Sequence, residues 1–150
     1  MIDLAAAIEI AASPATIAAV MFDPQRYAEW SAAVDRVEVH DAALQPGARV
    51  THHGTVMGQP VRWTSAVVAV QFPHLLDLQI GDGPFSGRVR YSIQRTGHGP
   101  GDHSRVQVHN RGELTGLAAL APVTMVTGAM QSAIEADLGR LKTLIETPAA

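Results

Sequence analysis

The sequence predicts an α+β fold: a curved antiparallel sheet of seven strands, two short helices after the first strand, and one long C-terminal helix. Three observations carry this prediction. The first residues alternate between apolar and polar side chains, as a half-buried strand requires. From Val34 to Leu114 the chain shows only strand patterns separated by short turns. After Pro122, apolar residues recur at the spacing of an amphipathic helix.

The opening segment predicts a strand and two short helices. One phase of the strand is apolar, comprising Ile2, Leu4, Ala6, Ile8 and Ile10, and Asp3 and Glu9 occupy the other phase. Ser13-Pro14 matches an N-cap followed by proline at the first helical position, which predicts a helix to about Phe22. Asp23-Pro24 repeats this pattern and predicts a second short helix that ends near Trp30.

Six further strands follow, and their connections are short. They are predicted at 34–40, 48–57, 61–72, 75–80, 85–95 and 104–114. The turns contain PG, MGQP, FP, GDGP and TGHGPGD, which favour hairpins and hence an antiparallel meander over a parallel sheet. Both phases of the strand at 61–72 are apolar, which predicts a bulge that shifts its register.

The last helix is predicted from Pro122 to about Glu146. Its apolar residues are spaced by three and four: Met130, Ile134, Leu138, Leu141 and Ile145. Residues 114–134 contain no charge, but they include Pro122 and several Gly, Ser, Thr and Gln residues. This composition favours a buried helix over a membrane span, so we expect no stable membrane insertion.

Composition limits the classes of function. A chain of 150 residues is expected to form a single domain over 1–150. The net charge is −3 and no basic block is present, so nucleic acid is not an expected partner. The absence of cysteine excludes disulfides, thiolate nucleophiles and iron-sulfur clusters. We read no export signal at the N-terminus, and a cytoplasmic location is the default expectation.

The order of elements and several short stretches resemble one known superfamily. IEIAASPATIAAVMFDPQRYAEW is similar to its strand-Pro-Trp opening, PGARV to its third strand, GRVRYSIQR to its sixth strand, and DLGRLKTLIE to the end of its long helix. This is the START/Bet v 1-like superfamily, also called the SRPBCC or polyketide cyclase/dehydrase superfamily, whose fold is named the helix-grip fold.

The resemblance implies a sheet wrapped around the C-terminal helix, with an apolar cavity between them. The first functional hypothesis is therefore binding of a hydrophobic small molecule such as a polyketide, lipid or aromatic metabolite, by a monomer or homodimer without a cofactor. The alternative is a polyketide cyclase, aromatase or dehydratase that uses general acid-base catalysis in the same cavity. A third hypothesis is a regulatory or partner-binding module. Fold alone does not choose among them.

Strand phase selects the candidate site residues. In 85–95 the inward phase contains Phe85, Val89 and Tyr91, and in 104–114 it contains Val108 and Asn110. The Tyr91 hydroxyl and the Asn110 amide either satisfy each other or the backbone, or they orient a ligand.

His52 is a further candidate, because the phase of Val50 and Val56 directs it inward and the adjacent His53 outward. His52 is the best candidate acid or base, with Tyr91 and Asn110 as possible catalytic partners; alternatively, His52 is a hydrogen-bonded core residue.

Four other residues complete the predicted ligand site: Tyr27, Trp63, Met125 and Met130. Trp63 lines the cavity or covers an outer edge, and the sequence leaves both open. Some aromatase/cyclases of the superfamily have an inward arginine shortly after such a tryptophan, and that arginine is absent here, since Arg62 has the opposite phase. Trp30 is interpreted as a packing residue.

Two loops contain residue types found in metal or nucleotide sites. His98, Asp102 and His103 are of ligand type, but a flexible Gly-Pro loop seldom preorganises three ligands, so we predict a solvated turn and no metal site. A strand follows the glycines here and in GDGPFSG, where a nucleotide loop needs a helix.

Overall fold

The structure is a computed structural model that describes residues 1–56, 58–97 and 101–147. Seven strands form one antiparallel sheet in the order β1-β7-β6-β5-β4-β3-β2. The strands are β1 Ile2–Ile10, β2 Val34–Val39, β3 Arg49–Val56, β4 Gln59–Gln71, β5 Leu75–Gly81, β6 Phe85–Thr96 and β7 His103–Leu114. The predicted α+β class, strand number and antiparallel order are confirmed, and every predicted strand lies within two residues of its observed bounds.

Two short helices follow β1, and the predicted caps start α1 and the 3₁₀ turn that precedes α2. Helix α1 spans Pro14–Met21, and the Ser13 side chain accepts a hydrogen bond from the Thr16 amide at 3.2 Å. A 3₁₀ turn, Pro24–Arg26, leads into α2, Tyr27–Trp30, and Asp23 Oδ1 accepts from the Gln25 amide at 3.0 Å. These side-chain acceptors satisfy backbone donors that a helix start leaves unpaired.

The long helix α3, Val123–Glu146, follows a 3₁₀ turn at Gly116–Leu120. Its C-terminal half is packed, with Leu138 and Leu141 fully buried in the core. Polar contacts fix the same half: Glu146 accepts from the Ala11 amide at 2.8 Å, and Lys142 donates to the Glu9 carbonyl at 2.9 Å. The N-terminal half is more open, and Met125 is 59% exposed.

Helix α3 also holds α2 in place. Asp137 accepts hydrogen bonds from the Ser31 hydroxyl and the Ala32 amide at 3.2 and 3.3 Å. Arg140 Nε donates to the Trp30 carbonyl at 3.1 Å. The end of α2 is thereby tied to the long helix, which fixes where Trp30 and Tyr27 meet the sheet.

Strand β4 contains the predicted bulge, between Val67 and Ala69. Before the bulge, Trp63, Ser65 and Val67 face the core, and after it the inward position passes to Val70. A bulge adds one residue to one strand and so reverses which phase points inward. This explains why both phases of β4 are apolar, and it settles the orientation of Trp63, which faces inward.

The outer face of the sheet carries the charges. Arg90 makes a two-pronged contact with Asp77 at 3.0 and 2.8 Å, which holds the pKa of that carboxyl below its usual range. His109 and Arg111 both lie beside Asp3, at 2.6 and 3.5 Å. His109, Arg111 and Glu113 lie on the outward phase of β7, opposite to the buried Val106 and Val108. No helix within the described residues is long and apolar enough to cross a bilayer.

Candidate functional site

A continuous chain of aromatic rings crosses the inner face of the sheet. It contains both tryptophans, both tyrosines, two of the three phenylalanines and one histidine. In order of contact, the rings are Trp63, His52, Tyr27, Trp30, Tyr91, Phe22 and Phe72, and we call them the aromatic cluster. Successive ring centroids are 5.1, 5.4, 5.5, 6.3, 6.5 and 6.1 Å apart. These separations lie in the range of favourable aromatic pairs.

His52 sits between two rings near one end of the cluster. Its imidazole is stacked on Trp63 with an interplanar angle of 6° and contacts Tyr27 on its other side at 34°. The Trp63 contact follows from the β3–β4 register, which places His52 directly opposite Trp63. Burial, and then the nearby charge of His53, lowers the pKa of His52 to about 4. The ring is therefore neutral near pH 7.

The polar contact of His52 is with a serine. A hydrogen bond of 3.0 Å joins His52 Nε2 to Ser65 Oγ, and the two residues are only 4% and 3% exposed. Ser65 lies two residues after Trp63 on the inward phase of β4, so it reaches the same side of the sheet.

The two tyrosines provide hydroxyl groups on the same face. Burial is the main cause that raises the pKa of Tyr91 to about 12 and the pKa of Tyr27 well above its usual value. The interaction between the two hydroxyls raises the pKa of Tyr27 further and lowers that of Tyr91, where burial outweighs it. Both phenols therefore keep their protons at neutral pH, and each remains a potential hydrogen-bond donor.

Three buried polar atoms lack a hydrogen-bond partner among the described residues: Trp30 Nε1, His52 Nδ1 and Asn110 Oδ1. Buried polar atoms are nearly always paired in proteins, because desolvation without a partner is costly. Two of these three atoms belong to the aromatic cluster, and the third lies on the inward phase of β7. Unpaired polar atoms on an inner face are available to a ligand or to water.

A pocket of about 700 Å³ lies beside the aromatic cluster. Its walls come from the α1–α2 segment, from the connection between β2 and β3, and from β4 and β5. Phe22 and Tyr27 line it on the helical side, and Ser65, Val67 and Leu78 line it on the sheet side. The more exposed lining residues include Asp41 and Arg49, so charge is found at the mouth and apolar surface inside.

The predicted site residues occupy different parts of this inner face. Tyr27 lines the pocket, while Trp63, Tyr91 and His52 belong to the aromatic cluster. The remaining inward residues on β6 and β7 are Phe85, Val89, Val108 and Asn110, all buried or half-buried as predicted. Met125 and Met130 lie on the more open half of α3, and neither lines this pocket.

The three predicted catalytic residues are not in mutual contact through hydrogen bonds. His52 bonds to Ser65, the Tyr91 hydroxyl interacts with that of Tyr27, and Asn110 Oδ1 is unpaired. The Asn110 side-chain oxygen therefore does not accept a hydrogen bond from Tyr91, which was one of the two alternatives. The sequence did not indicate a hydrogen-bond partner for His52, and the structure shows that this partner is Ser65.

Ser65 and Phe22 are site residues that sequence reasoning did not select. Ser65 shares the phase of Trp63 on β4, and the sequence left the orientation of that phase open. The meeting of Ser65 with His52 depends on the β3–β4 register, and the position of Phe22 depends on how α1 packs; neither is readable from local patterns.

The loop after β6 gives no sign of a metal site in the part that the structure describes. His98 lies outside the described residues, and Asp102 forms an ion pair with Arg95. Across the described ranges, no group of three or more ligand-type side chains converges.

Comparison with known proteins places the fold. The chain has the same fold as a START superfamily protein from Mycobacterium smegmatis, at 21% identity and a TM-score of 0.80, covering 96% of this chain and 97% of the other. A protein from Thermus thermophilus is 19% identical, with a TM-score of 0.76 and coverage of 95% and 96%. The di-domain ARO/CYC BexL from the BE-7585A biosynthetic pathway is 13% identical, with a TM-score of 0.74; the match covers 97% of this chain and 47% of BexL.

These likenesses establish the helix-grip fold that the resemblance implied. No curated protein matches the sequence. Residues 1–146 match the family described as "Polyketide cyclase / dehydrase and lipid transport". The chain therefore belongs to the polyketide cyclase/dehydrase and lipid transport family, as the sequence resemblance indicated.

Proposed function

We propose that this protein binds a hydrophobic small molecule, such as a lipid, a polyketide or another aromatic metabolite, in the pocket beside the aromatic cluster. The observation that carries the proposal is the pocket itself: about 700 Å³, apolar in its interior, and bordered by Tyr27 and Ser65. Small-molecule sites typically have roughly 300–1,000 Å³ and a few polar groups on an apolar wall. Membership of a family that includes lipid transport and polyketide chemistry agrees with this ligand class.

Apolar burial is sufficient to drive such binding. Removing roughly 300 Å² of apolar ligand surface from water contributes about 7 kcal/mol. The loss of translational and rotational freedom opposes this gain, so apolar burial alone is expected to give a dissociation constant weaker than about 10 μM. The pocket-lining rings of Phe22 and Tyr27 add contacts for a flat ligand.

The ionisable groups on the inner face favour binding over general acid-base catalysis. An effective acid or base has a pKa near the working pH. Burial instead moves the pKa of His52 down to about 4 and that of Tyr91 up to about 12. His52 also contacts a serine where a base-orienting carboxylate would be needed. These groups are suited to donating or accepting hydrogen bonds from a bound molecule.

The test places a larger side chain in the pocket and, as a control, the same side chain at a neighbouring position outside it. Val67 lines the pocket, whereas Val68 lies at the bulge and is exposed. We expect the Val67→Phe variant to weaken binding of the apolar dye Nile red at least tenfold, measured by fluorescence titration. Val68→Phe is the matched control and leaves the affinity unchanged.

Thermal unfolding of both variants checks that the fold is intact. If the wild-type protein binds neither Nile red nor extracted lipids detected by native mass spectrometry, the proposal is wrong. Equal affinity of a folded Val67→Phe variant and the wild type would place binding elsewhere and would also contradict it.

A further inference from the structure

The hydrogen bond between His52 and Ser65 has a direction that the surroundings determine. The neutral imidazole carries one N–H, either on Nε2, which faces Ser65 Oγ at 3.0 Å, or on Nδ1, which is buried without a partner among the described residues. A proton on Nδ1 would leave a buried donor unpaired, and orphaned N–H groups are rarer than orphaned acceptors. The tautomer with the proton on Nε2 is therefore preferred, and His52 donates to Ser65.

This direction constrains the serine hydroxyl. With Oγ accepting from His52, the Ser65 proton is directed away from the imidazole. Within the part of the chain that the structure describes, His52 is the hydrogen-bond partner of this side chain, and Ser65 is also one of the residues that line the pocket. The free end of the hydroxyl is thus a donor at the pocket wall.

We propose that Ser65 donates a hydrogen bond to an acceptor oxygen of the pocket ligand, so that the site selects apolar molecules that carry a carbonyl group. The inference rests on the proposed function and names the polar group of its ligand. His52 acts as a positioning residue: its N–H occupies one of the two lone pairs of Ser65 Oγ, which keeps the hydroxyl proton directed away from the imidazole and leaves fewer acceptor sites for a ligand that offers only a donor. The rings of Phe22 and Tyr27 line the same pocket, so a carbonyl attached to a flat apolar body fits best.

The test uses three probes of nearly equal shape. These are 2-acetylnaphthalene with a carbonyl acceptor, 2-ethylnaphthalene with no polar group, and 2-naphthol with a hydroxyl donor that accepts weakly. Their affinities are measured by displacement of Nile red. We expect the wild type to bind 2-acetylnaphthalene roughly fivefold more tightly than 2-ethylnaphthalene, as one neutral hydrogen bond gives.

Two variants separate the roles of the two residues. Ser65→Ala is expected to remove the preference for the ketone, so that 2-acetylnaphthalene and 2-ethylnaphthalene bind with similar affinity. His52→Phe keeps a ring between Trp63 and Tyr27 but frees the Ser65 lone pair that His52 occupies and lets the hydroxyl rotate, so 2-naphthol is expected to bind several-fold more tightly than it does to the wild type. Ser86→Ala, on the exposed outer phase of β6, is the matched control and retains the wild-type order.

The outcomes distinguish this inference from the proposed function. If Nile red binds but the wild type does not discriminate between ketone and hydrocarbon, or if Ser65→Ala keeps the discrimination, the inference is overturned and the pocket still stands. An unchanged affinity of His52→Phe for 2-naphthol would overturn the assigned direction of the hydrogen bond. Failure of the wild type to bind Nile red or any of the three probes would overturn the proposed function as well.

Discussion

His52 and His53 are neighbours in the chain, yet they lie on opposite faces of the sheet and in different environments. His52 is buried on the inner face between Trp63 and Tyr27, and its hydrogen-bond partner is a neutral serine. His53 points outward, and its Nε2 contacts the carboxylate of Glu38 at 2.7 Å in an exposed pair. The alternation of a strand is the whole cause of this difference.

The comparison shows that the two faces of the sheet carry different kinds of side chain. Charged pairs such as Arg90–Asp77 and His109–Asp3 lie on the outer face. Solvent screens the His109–Asp3 pair, whereas Asp77 is buried beneath the exposed Arg90 side chain. The inner face holds aromatic rings and neutral polar atoms, three of which have no partner among the described residues. A face of this second kind suits recognition of an uncharged, largely apolar molecule.

The largest expected effect comes from a glycine on the inner phase of β3, two residues after His52. A Cβ at Gly54 would lie 1.8 Å from the Ala33 carbonyl oxygen, which accepts a hydrogen bond from the Thr55 amide. The Gly54→Ala variant must displace this backbone, so we expect its free energy of unfolding to fall by about 4 kcal/mol. Urea unfolding followed by circular dichroism measures the change.

Gly128 in α3 is the matched glycine, because a Cβ there meets no atom within 4 Å. Gly128→Ala should increase the free energy of unfolding by up to about 1 kcal/mol, since alanine is the better helix former. If Gly54→Ala is as stable as Gly128→Ala, the close contact between β3 and the α2–β2 connection is wrong.

Truncation of the two histidines tests the comparison directly. His52→Ala removes a buried ring from between two aromatic side chains and leaves Ser65 without its partner, so we expect a loss of about 3 kcal/mol. His53→Ala removes one member of an exposed ion pair, and its effect should be much smaller. Thermal and urea unfolding of both variants, measured together, provide the comparison. If His52→Ala and His53→Ala lowered the free energy of unfolding equally, the inner and outer positions would not differ as described.

The sequence was a good guide to elements and to strand faces, because both depend on local patterns. Ser13 and Asp23 marked the helix starts, and the apolar character of both phases in 61–72 marked the β4 bulge. The inward orientation of His52 followed from the phase of Val50. All of these are properties of a few neighbouring residues.

The site was only partly predictable, because its contacts join distant parts of the chain. The pairing of His52 with Ser65 requires the β3–β4 register, and the Tyr27 contact requires that α2 pack against the sheet. The pocket takes part of its wall from the 40–48 connection, which the sequence presented only as a turn. Trp30 was interpreted as a packing residue, and the structure does bury it, but only three-dimensional packing reveals that its indole nitrogen has no partner among the described residues.

A smaller effect than those of Gly54→Ala and His52→Ala is expected in the pH dependence of the free energy of unfolding. The unfolded chain binds a proton at His52 with the ordinary pKa of 6.5, whereas the folded protein binds it only near 4. Between these values the unfolded state binds more protons, so stability decreases as the pH falls. From pH 7 to pH 5, His52 alone is expected to lower the free energy of unfolding by about 2 kcal/mol.

The His52→Phe variant isolates this contribution, because it retains a ring between Trp63 and Tyr27 and removes the titrating group. Contacts with His53 and Arg90 lower the pKa values of Glu38 and Asp77, so these carboxylates stay ionised through the pH 5 to 7 window and lose their stabilising charge only in stronger acid. The free energy of unfolding, measured by urea unfolding at pH 7, 6 and 5, should therefore depend less steeply on pH for His52→Phe than for the wild type. If the free energy of unfolding depended equally on pH in both proteins, His52 would have the same pKa in the folded protein as in the unfolded chain. The contrast between the buried His52 and the outward His53 would then disappear.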